Sequence, residues 1–421
     1  MQTVLTVGLF LLTLVLILVR PYGLNEAWAT SLGGLLMLLF GLETWQQAWR
    51  TVAEGADVLA FLFTLMLLSA LLDASGFFEW AAIHAARAAR GDGKTLFRNV
   101  FLLGSVITAF LSLDTTAIIL TPIVLAFVSR LKLKARPFLV ACAFVANTAS
   151  LLLPVSNLTN LLFLSAFQFR FAEFALRMVL PQVVAIAVNY FLFRWLFRAE
   201  LPPGFEVDEL PEANSVLPDA AYFHGAVLVL AGVLIGYFVG SLYHVPPYKI
   251  ALVGCGVLLI WGAVRQQLNR HILHEISWPL FPFVIGLFVV IRGVENLGLA
   301  PIAARGLEKV GSTSLPQIVA TAFGTGIGSN IVNNIPMALL SISVLRGAHA
   351  THPAQYGALL GCNLGPNLTL TGSLATMLVI TGARKRGEDM GAWEFFRVGI
   401  ITTPLLLISS AIALWLTFAR P

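Results

Sequence analysis

The chain has 421 residues, of which 58% are hydrophobic and only 11% charged, and its mean hydropathy is +0.86. A soluble globular domain is about 25% charged, so this composition excludes one and points to a polytopic membrane protein. The net charge of +5 does not indicate a nucleic-acid binder: no Lys/Arg stretch is interleaved with aromatics, and the basic residues gather between hydrophobic spans.

The first predicted spans lie near 4–20, 27–43, 57–83, 137–167 and 172–198. The first lacks a basic n-region and an A-x-A-like site, so it reads as a retained helix and not as a signal peptide. Next comes the polar stretch LPPGFEVDELPEANSVLPD (201–219), with the Pro and acidic content of a solvated cytoplasmic linker. Spans resume near 220–243, 248–264, 278–300, 355–382 and 394–418. Two regions, 99–129 and 316–345, do not fit one bilayer crossing of about 20 residues. Each is broken by polar residues, LSLDTT (111–116) in the first and SNIVNNIP (329–336) in the second.

Charge assigns these regions. The first is flanked by HAARAARGDGKTLFR and SRLKLKAR, basic on both sides, and is expected to enter and leave on the cytoplasmic face as a re-entrant hairpin with its tip near Asp114. The second has sparse positive flanks (Arg305, Lys309 and Arg346) and is expected to be the matching hairpin from the opposite face. Of the 26 Lys and Arg, 17 then fall on the cytoplasmic side and 9 outside, in keeping with the positive-inside rule. This topology has ten spanning helices, two hairpins and both termini outside.

The halves resemble each other. DTTAIILTPIV (114–124) is followed by ANTASLLLPVSNLTNLL (146–162), and NNIPMALLSISV (333–344) by CNLGPNLTLTGSLATMLV (362–379). Asp114 pairs with Asn333 at an offset of 219, and Ser156 and Thr159 pair with Ser373 and Thr376 at 217. The expected fold is an all-α polytopic membrane protein of two inverted repeats, 1–200 and 220–421, joined by the linker. Each repeat has five transmembrane helices and one re-entrant hairpin, with broken helices at about 137–167 and 355–382. That is the construction of secondary transporters, whose sites lie at the bilayer midplane.

Non-helical backbone at membrane depth is tolerated only where protein or a water-filled cavity satisfies it, so the polar stretches should converge. The candidate substrate-binding residues are Asn147, Thr148, Ser156, Asn157 and Thr159 from the first half. The second contributes Asn330, Asn333, Asn334, Asn363, Asn367, Thr369, Thr371, Ser373 and Thr376. Some of the asparagines are expected to serve as helix caps alone. Asp114, with Thr115 and Thr116 beside it, is the one acid deep in a membrane segment. An intramembrane carboxylate costs about 3 kcal/mol or more when ionised, and its preference for the protonated form suits a proton carrier. Asp-Thr-Thr is also good capping sequence, and the two roles are compatible.

With amides, hydroxyls and almost no fixed charge, such a site favours a small neutral or weakly charged solute exchanged for protons. Cys142, Cys255 and Cys362 are scattered and indicate neither a disulfide framework nor a zinc site. His271 and His274 in HILHE read as a solvated loop. GTGIGSN (324–330) follows no strand and no P-loop is present, so neither a nucleotide fold, a cofactor nor an enzymatic activity is expected.

At LSLDTTAIILTPIV, GSNIVNNIPMALL and CNLGPNLTLTGSLATMLVI the sequence resembles the bacterial arsenite efflux pump family of the ion transporter superfamily, over essentially the whole chain. The resemblance implies export of arsenite and antimonite, as As(OH)3 and Sb(OH)3, across the inner cell membrane in exchange for protons. It also allows for a cytoplasmic arsenite-stimulated ATPase subunit as partner. Cys142 and Cys362 are too few and too far apart in sequence to presume a thiolate cage, which favours hydroxyl and amide coordination. The sodium/proton antiporter branch of the superfamily would share the fold and Asp114. A passive channel for neutral solutes would need no titratable carrier.

Overall fold

Apolar runs become helices, and Gly, Pro and polar breaks become their ends, in a computed structural model that describes residues 2–19, 21, 25–201, 203–296, 305–306 and 314–419. Lys309, the end of the 278–300 span and the last residues of the chain lie outside the described residues. Every named element is helical, and no strand forms among the described residues. Seven helices are long and apolar enough to cross a membrane, and five more are apolar but shorter.

In the first half, α1 (Gln2–Val19) and α2 (Glu26–Leu39) precede α3 (Trp45–Glu54), a helix not anticipated from the sequence. Thr44 and Gln47 form a capping box at its start, and only Ala48 is buried. Trp45 and Trp49 stand 69% and 75% exposed, the pattern of an amphipathic helix lying in the membrane interface. The expected span 57–83 is instead two helices, α4 (Ala56–Ala74) and α5 (Phe77–Arg87). The break is at Gly76, where φ is +81° and an added Cβ would stand 2.9 Å from Pro218. Only glycine adopts that conformation cheaply.

The first hairpin is α6 (Gly93–Phe110) and α7 (Leu113–Arg130). A π-turn at Thr116–Leu120 widens α7, and the Thr121 hydroxyl donates to the Thr116 carbonyl at 2.8 Å. The expected broken helix is α8 (Ala135–Thr148) and α9 (Leu158–Phe167), separated by a 3-10 turn that Pro154 begins. Helix α10 (Phe171–Leu196) closes the half.

The 201–219 segment is tied to α5, with most of its described residues partly or fully exposed. Trp80 Nε1 donates to Asn214 Oδ1 at 3.1 Å, and Arg87 donates to the carbonyls of Leu210 and Pro211 at 3.0 and 3.1 Å.

The second half runs through α11 (Ala220–Leu242), α12 (Pro247–Val264), α13 (His271–Glu275) and α14 (Leu280–Glu295). HILHE is thus a short helix, not a loop; the side chain of His271 lies outside the described residues. The second hairpin is α15 (Ser314–Val332) and α16 (Asn334–Gly347). The second broken pair is α17 (His352–Leu364) and α18 (Leu374–Arg384), followed by α19 (Ala392–Ala419).

Two packing features position the site. First, the halves interlock: α9 packs on α16 of the opposite half, and α18 packs on α7. Second, α17 lies almost backbone to backbone on α15. A Cβ at Gly361 would stand 2.1 Å from the Ala322 carbonyl oxygen, and one at Gly365 would stand 2.2 Å from Gly326 Cα. Gly357, Gly361 and Gly365 form the small-residue stripe, spaced by four, that lets helices approach in membranes.

Candidate functional site

The tip of the first hairpin is capped by Ser112, not by Asp114. Ser112 is extended (φ −166°, ψ 163°), and its Oγ accepts from the Thr115 backbone N–H at 3.1 Å. The Thr115 hydroxyl meets Ser69 Oγ at 2.8 Å and Ser112 Oγ at 2.9 Å, while Thr116 meets Thr108 at 2.7 Å. Thr115 and Thr116 therefore fix the tip. Asp114 falls two residues past the cap, and its carboxylate makes no hydrogen bond or ion pair among the described residues. It lines a cavity of about 20 Å³ with Ser69, Ser112, Thr115, Glu275 and Ser277, enough for one water with polar partners.

The second tip is held by its asparagines. Asn333 caps α16 at φ +75° and ψ 155°, a backbone conformation that residues other than glycine rarely adopt, and its Nδ2 donates to the Thr371 carbonyl at 3.1 Å. Asn330 Nδ2 donates to the carbonyls of Gly326 and Gly365 at 2.7 and 2.8 Å, and its Oδ1 accepts from Thr369 Oγ1 at 2.8 Å. Thr369 and Thr371 hydroxyls lie 3.4 Å apart. The Asn334 backbone N–H donates to Gly372 at 2.9 Å. As the cap of its returning arm, Asn333 occupies the place of Ser112, so the pairing of Asn333 with Asp114 shifts by two residues. In the first half Ser156 makes the equivalent tie from break to hairpin, donating to the Ala109 carbonyl at 2.6 Å.

Between the tips the two broken helices cross, and their amides bond to one another. Asn147 Nδ2 donates to Asn367 Oδ1 at 3.1 Å and to Thr376 Oγ1 at 2.9 Å. Asn367 Nδ2 donates to Thr148 Oγ1 at 2.9 Å. Asn363 Oδ1 accepts from Asn157 Nδ2 at 2.7 Å and Thr159 Oγ1 at 2.6 Å, and its Nδ2 donates to Asn160 Oδ1 at 2.6 Å. The bonds Asn147–Thr376 and Asn363–Asn160 are counterparts, since each residue of one lies 216 positions from its mate in the other. Asn157 and Ser373 cap α9 and α18, through the backbone N–H groups of Thr159 and Ala375.

The crossing is dry. Asn147, Thr148, Ser156, Thr159, Asn363, Asn367 and Thr376 are 0% exposed, whereas Asn330, Thr369 and Thr371 are partly exposed. Among the described residues, three buried amide oxygens here have no partner, Asn147 Oδ1, Asn189 Oδ1 and Asn334 Oδ1, and an unsatisfied buried acceptor costs about 1–3 kcal/mol. Asn160, Gln182 and Asn189 also belong here and were not anticipated. Gln182 Oε1 accepts from the backbone N–H groups of Leu151 and Leu152, and Asn189 Nδ2 donates to Thr148 Oγ1 at 3.2 Å. Their sequence signal is two amides seven residues apart on one face of an apolar helix.

The cysteines are all buried, with different surroundings. Cys255 Sγ donates to the Thr64 carbonyl, Cys142 bonds with Thr121, and Cys362 sits among the hydroxyls of Thr325, Ser329 and Ser341. Among the described residues no group of three or more His, Cys, Asp and Glu could hold a metal ion.

The family profile described as arsenical pump membrane protein matches residues 5–417. The chain belongs to that family. An arsenical pump membrane protein of Escherichia coli (strain K12) is 33% identical over 429 residues, covering 98% of each chain. One from Yersinia enterocolitica is 33% identical over 424 residues, covering 96% of each. Among solved structures, the Alcanivorax borkumensis YdaH transporter, whose crystal structure is described as revealing an unusual topology, is similar with a TM-score of 0.61 at 15% identity. The match covers 100% of this chain and 99% of that one, and shows the shared fold. Like the members of its family, the chain is a multi-pass membrane transporter and not an enzyme.

Proposed function

We propose that the protein exports arsenite and antimonite, as the neutral hydroxides As(OH)3 and Sb(OH)3, from the cytoplasm in exchange for protons, with Asp114 as the proton carrier. The observation that carries the coupling is the Asp114 carboxylate beside the break between α6 and α7, without a hydrogen-bond or ion-pair partner among the described residues and facing a water-sized cavity. When protonated, the tip is neutral and can pass an apolar seal; when ionised, it is held where water can reach it. Alternation between these states makes movement depend on the proton.

The substrate argument rests on donor and acceptor chemistry. A neutral triol offers three O–H donors, and Asn147 Oδ1, Asn189 Oδ1 and Asn334 Oδ1 are buried acceptors without donors among the described residues. The partly exposed Asn330, Thr369 and Thr371 give a hydroxylated solute its first contacts, and the interlocked amides at the crossing open to admit it. The other proposed partners are protons and lipid, and the ATPase subunit rests on family resemblance alone. A host lacking its own arsenite exporter should gain resistance to arsenite and antimonite when it expresses the chain, and none to arsenate without a reductase. Rescue of a sodium-sensitive host with no protection against arsenite would establish the sodium/proton reading instead.

The proposed topology keeps both hairpins re-entrant, with the linker on the cytoplasmic face of the inner membrane and both termini outside. Lys94 and Lys132, exposed near the two ends of the first hairpin, provide the check. Cysteines placed there should react with an impermeant maleimide from the same, cytoplasmic side. Labelling from opposite sides would make α7 a spanning helix, which its length permits.

A further inference from the structure

Glu43 occupies the turn between α2 and α3 and is 2% exposed, with both carboxylate oxygens buried and without a hydrogen-bond partner among the described residues. Leu42 and Ala48, on either side of it, pack into an apolar cluster with Leu9, Met37, Val289 and Val290. An ionised carboxylate is costly in such a place without a paired cation.

The charged groups near it come from two helices. On α14, Arg292 attracts Glu43 and Glu295 repels it. Arg292 is already committed to Glu295, its Nη1 donating to Oε2 at 2.8 Å, and also feels Glu54 of α3. Arg50 of α3 is exposed, α1 has no titratable side chain, and the one acid of α2, Glu26, is at its other end. Arg292, Glu295 and Glu54 line a cavity of about 140 Å³, together with Arg346 and Ile342 of α16 and Leu162 of α9. Three carboxylates thus surround a guanidinium that is bonded to one of them.

We propose that Glu43 is a second proton-binding site of this protein, and that its proton selects the partner of Arg292. With Glu43 protonated, Arg292 pairs with Glu295 and faces the cavity. With Glu43 ionised, its carboxylate leaves the apolar cluster for Arg292, which gives up Glu295 and changes the charge lining the cavity. The turn that carries Glu43 moves with it, lifting the start of α3 and uncovering Ala48.

Burial pushes the Glu43 carboxyl up to about 7, with Arg292 opposing and Glu295 adding to the shift. The sign follows: the closed arrangement is fully present below the ordinary carboxylate value of 4.5 and is lost as pH rises through about 7. The site does not depend on Asp114 or on transport.

The test uses the full chain in lipid vesicles and compares maleimide labelling of Ala48→Cys, 6% exposed, with that of Gln46→Cys, exposed on the same helix. The ratio of the two rates cancels thiol ionisation, and the unsubstituted chain gives the background from its buried cysteines. The ratio should rise about tenfold between pH 6 and pH 8, as the ionised fraction of a group titrating near 7 does. Glu43→Gln should hold the ratio at its pH 6 value throughout. Glu295→Gln, which frees Arg292 for Glu43, should move the rise to lower pH, and it serves if Glu43→Gln does not fold. A flat ratio in the Glu43 background, the same rise in Glu43→Gln, or no shift in Glu295→Gln would overturn the proposal.

Discussion

Asp114→Asn should reduce arsenite accumulation by everted membrane vesicles to the equilibrium level while downhill exchange persists. A pH unit is worth about 1.36 kcal/mol, or about tenfold in concentration for each proton exchanged. A gradient of about two units therefore supports about a hundredfold accumulation per proton, and the variant should lose nearly all of it. Asparagine is nearly isosteric with aspartate but has no proton to give up. The fold should tolerate it, because Ser112 makes the cap and the Asp114 carboxylate has no partner among the described residues to lose. Equal protein levels in the two membrane preparations are the necessary control. A variant that concentrates arsenite like the parent would place the proton on another group or on the substrate.

Gly361→Val should be the most damaging single change to the fold outside the hairpin tips. Its Cβ would lie 2.1 Å from both the Ala322 carbonyl oxygen and Thr325 Oγ1, and backbone cannot yield as a flexible side chain would. Overpacking in a tight interior costs about 1–3 kcal/mol, with more where backbone is the obstacle, so we expect about 3 kcal/mol or more and little folded protein after extraction. Gly361→Ala should melt between the valine variant and the parent. Gly382, in α18, has nothing within 4 Å of an added Cβ. Gly382→Ala should therefore be neutral, or stabilising by up to about 1 kcal/mol from helix propensity. Thermal melting in one detergent compares all four proteins, and a Gly361→Val midpoint equal to the parent's would show that α15 and α17 do not need their close approach.

The sequence carries much of this architecture because lipid leaves the backbone few options. Breaks such as LSLDTT and GPNLTLTG are visible as polar residues within apolar runs, and helices end at both of them. Partner choice is less legible. Ser112 and Asp114 are both good capping residues two positions apart, and only the extended backbone at Ser112 decides between them. The asparagines look like binding groups in sequence, and the Asn147 amide also donates to Thr376 across 229 positions. A single sequence contains no information about that pairing. Other signals were legible and went unread: the glycines spaced by four at 357–365, and Gln182 with Asn189 on one face of α10. Helix α3 escaped because ten amphipathic residues average to near-neutral hydropathy beside spans of much higher value.

The most direct measurement of proton-coupled export is proton movement driven by substrate. Purified protein in proteoliposomes, loaded with a pH-sensitive dye and given an arsenite gradient with no initial pH gradient, should move protons opposite to arsenite, and Asp114→Asn should move none. Protons that follow a sodium gradient and ignore arsenite would contradict the proposal and make the protein a sodium/proton antiporter.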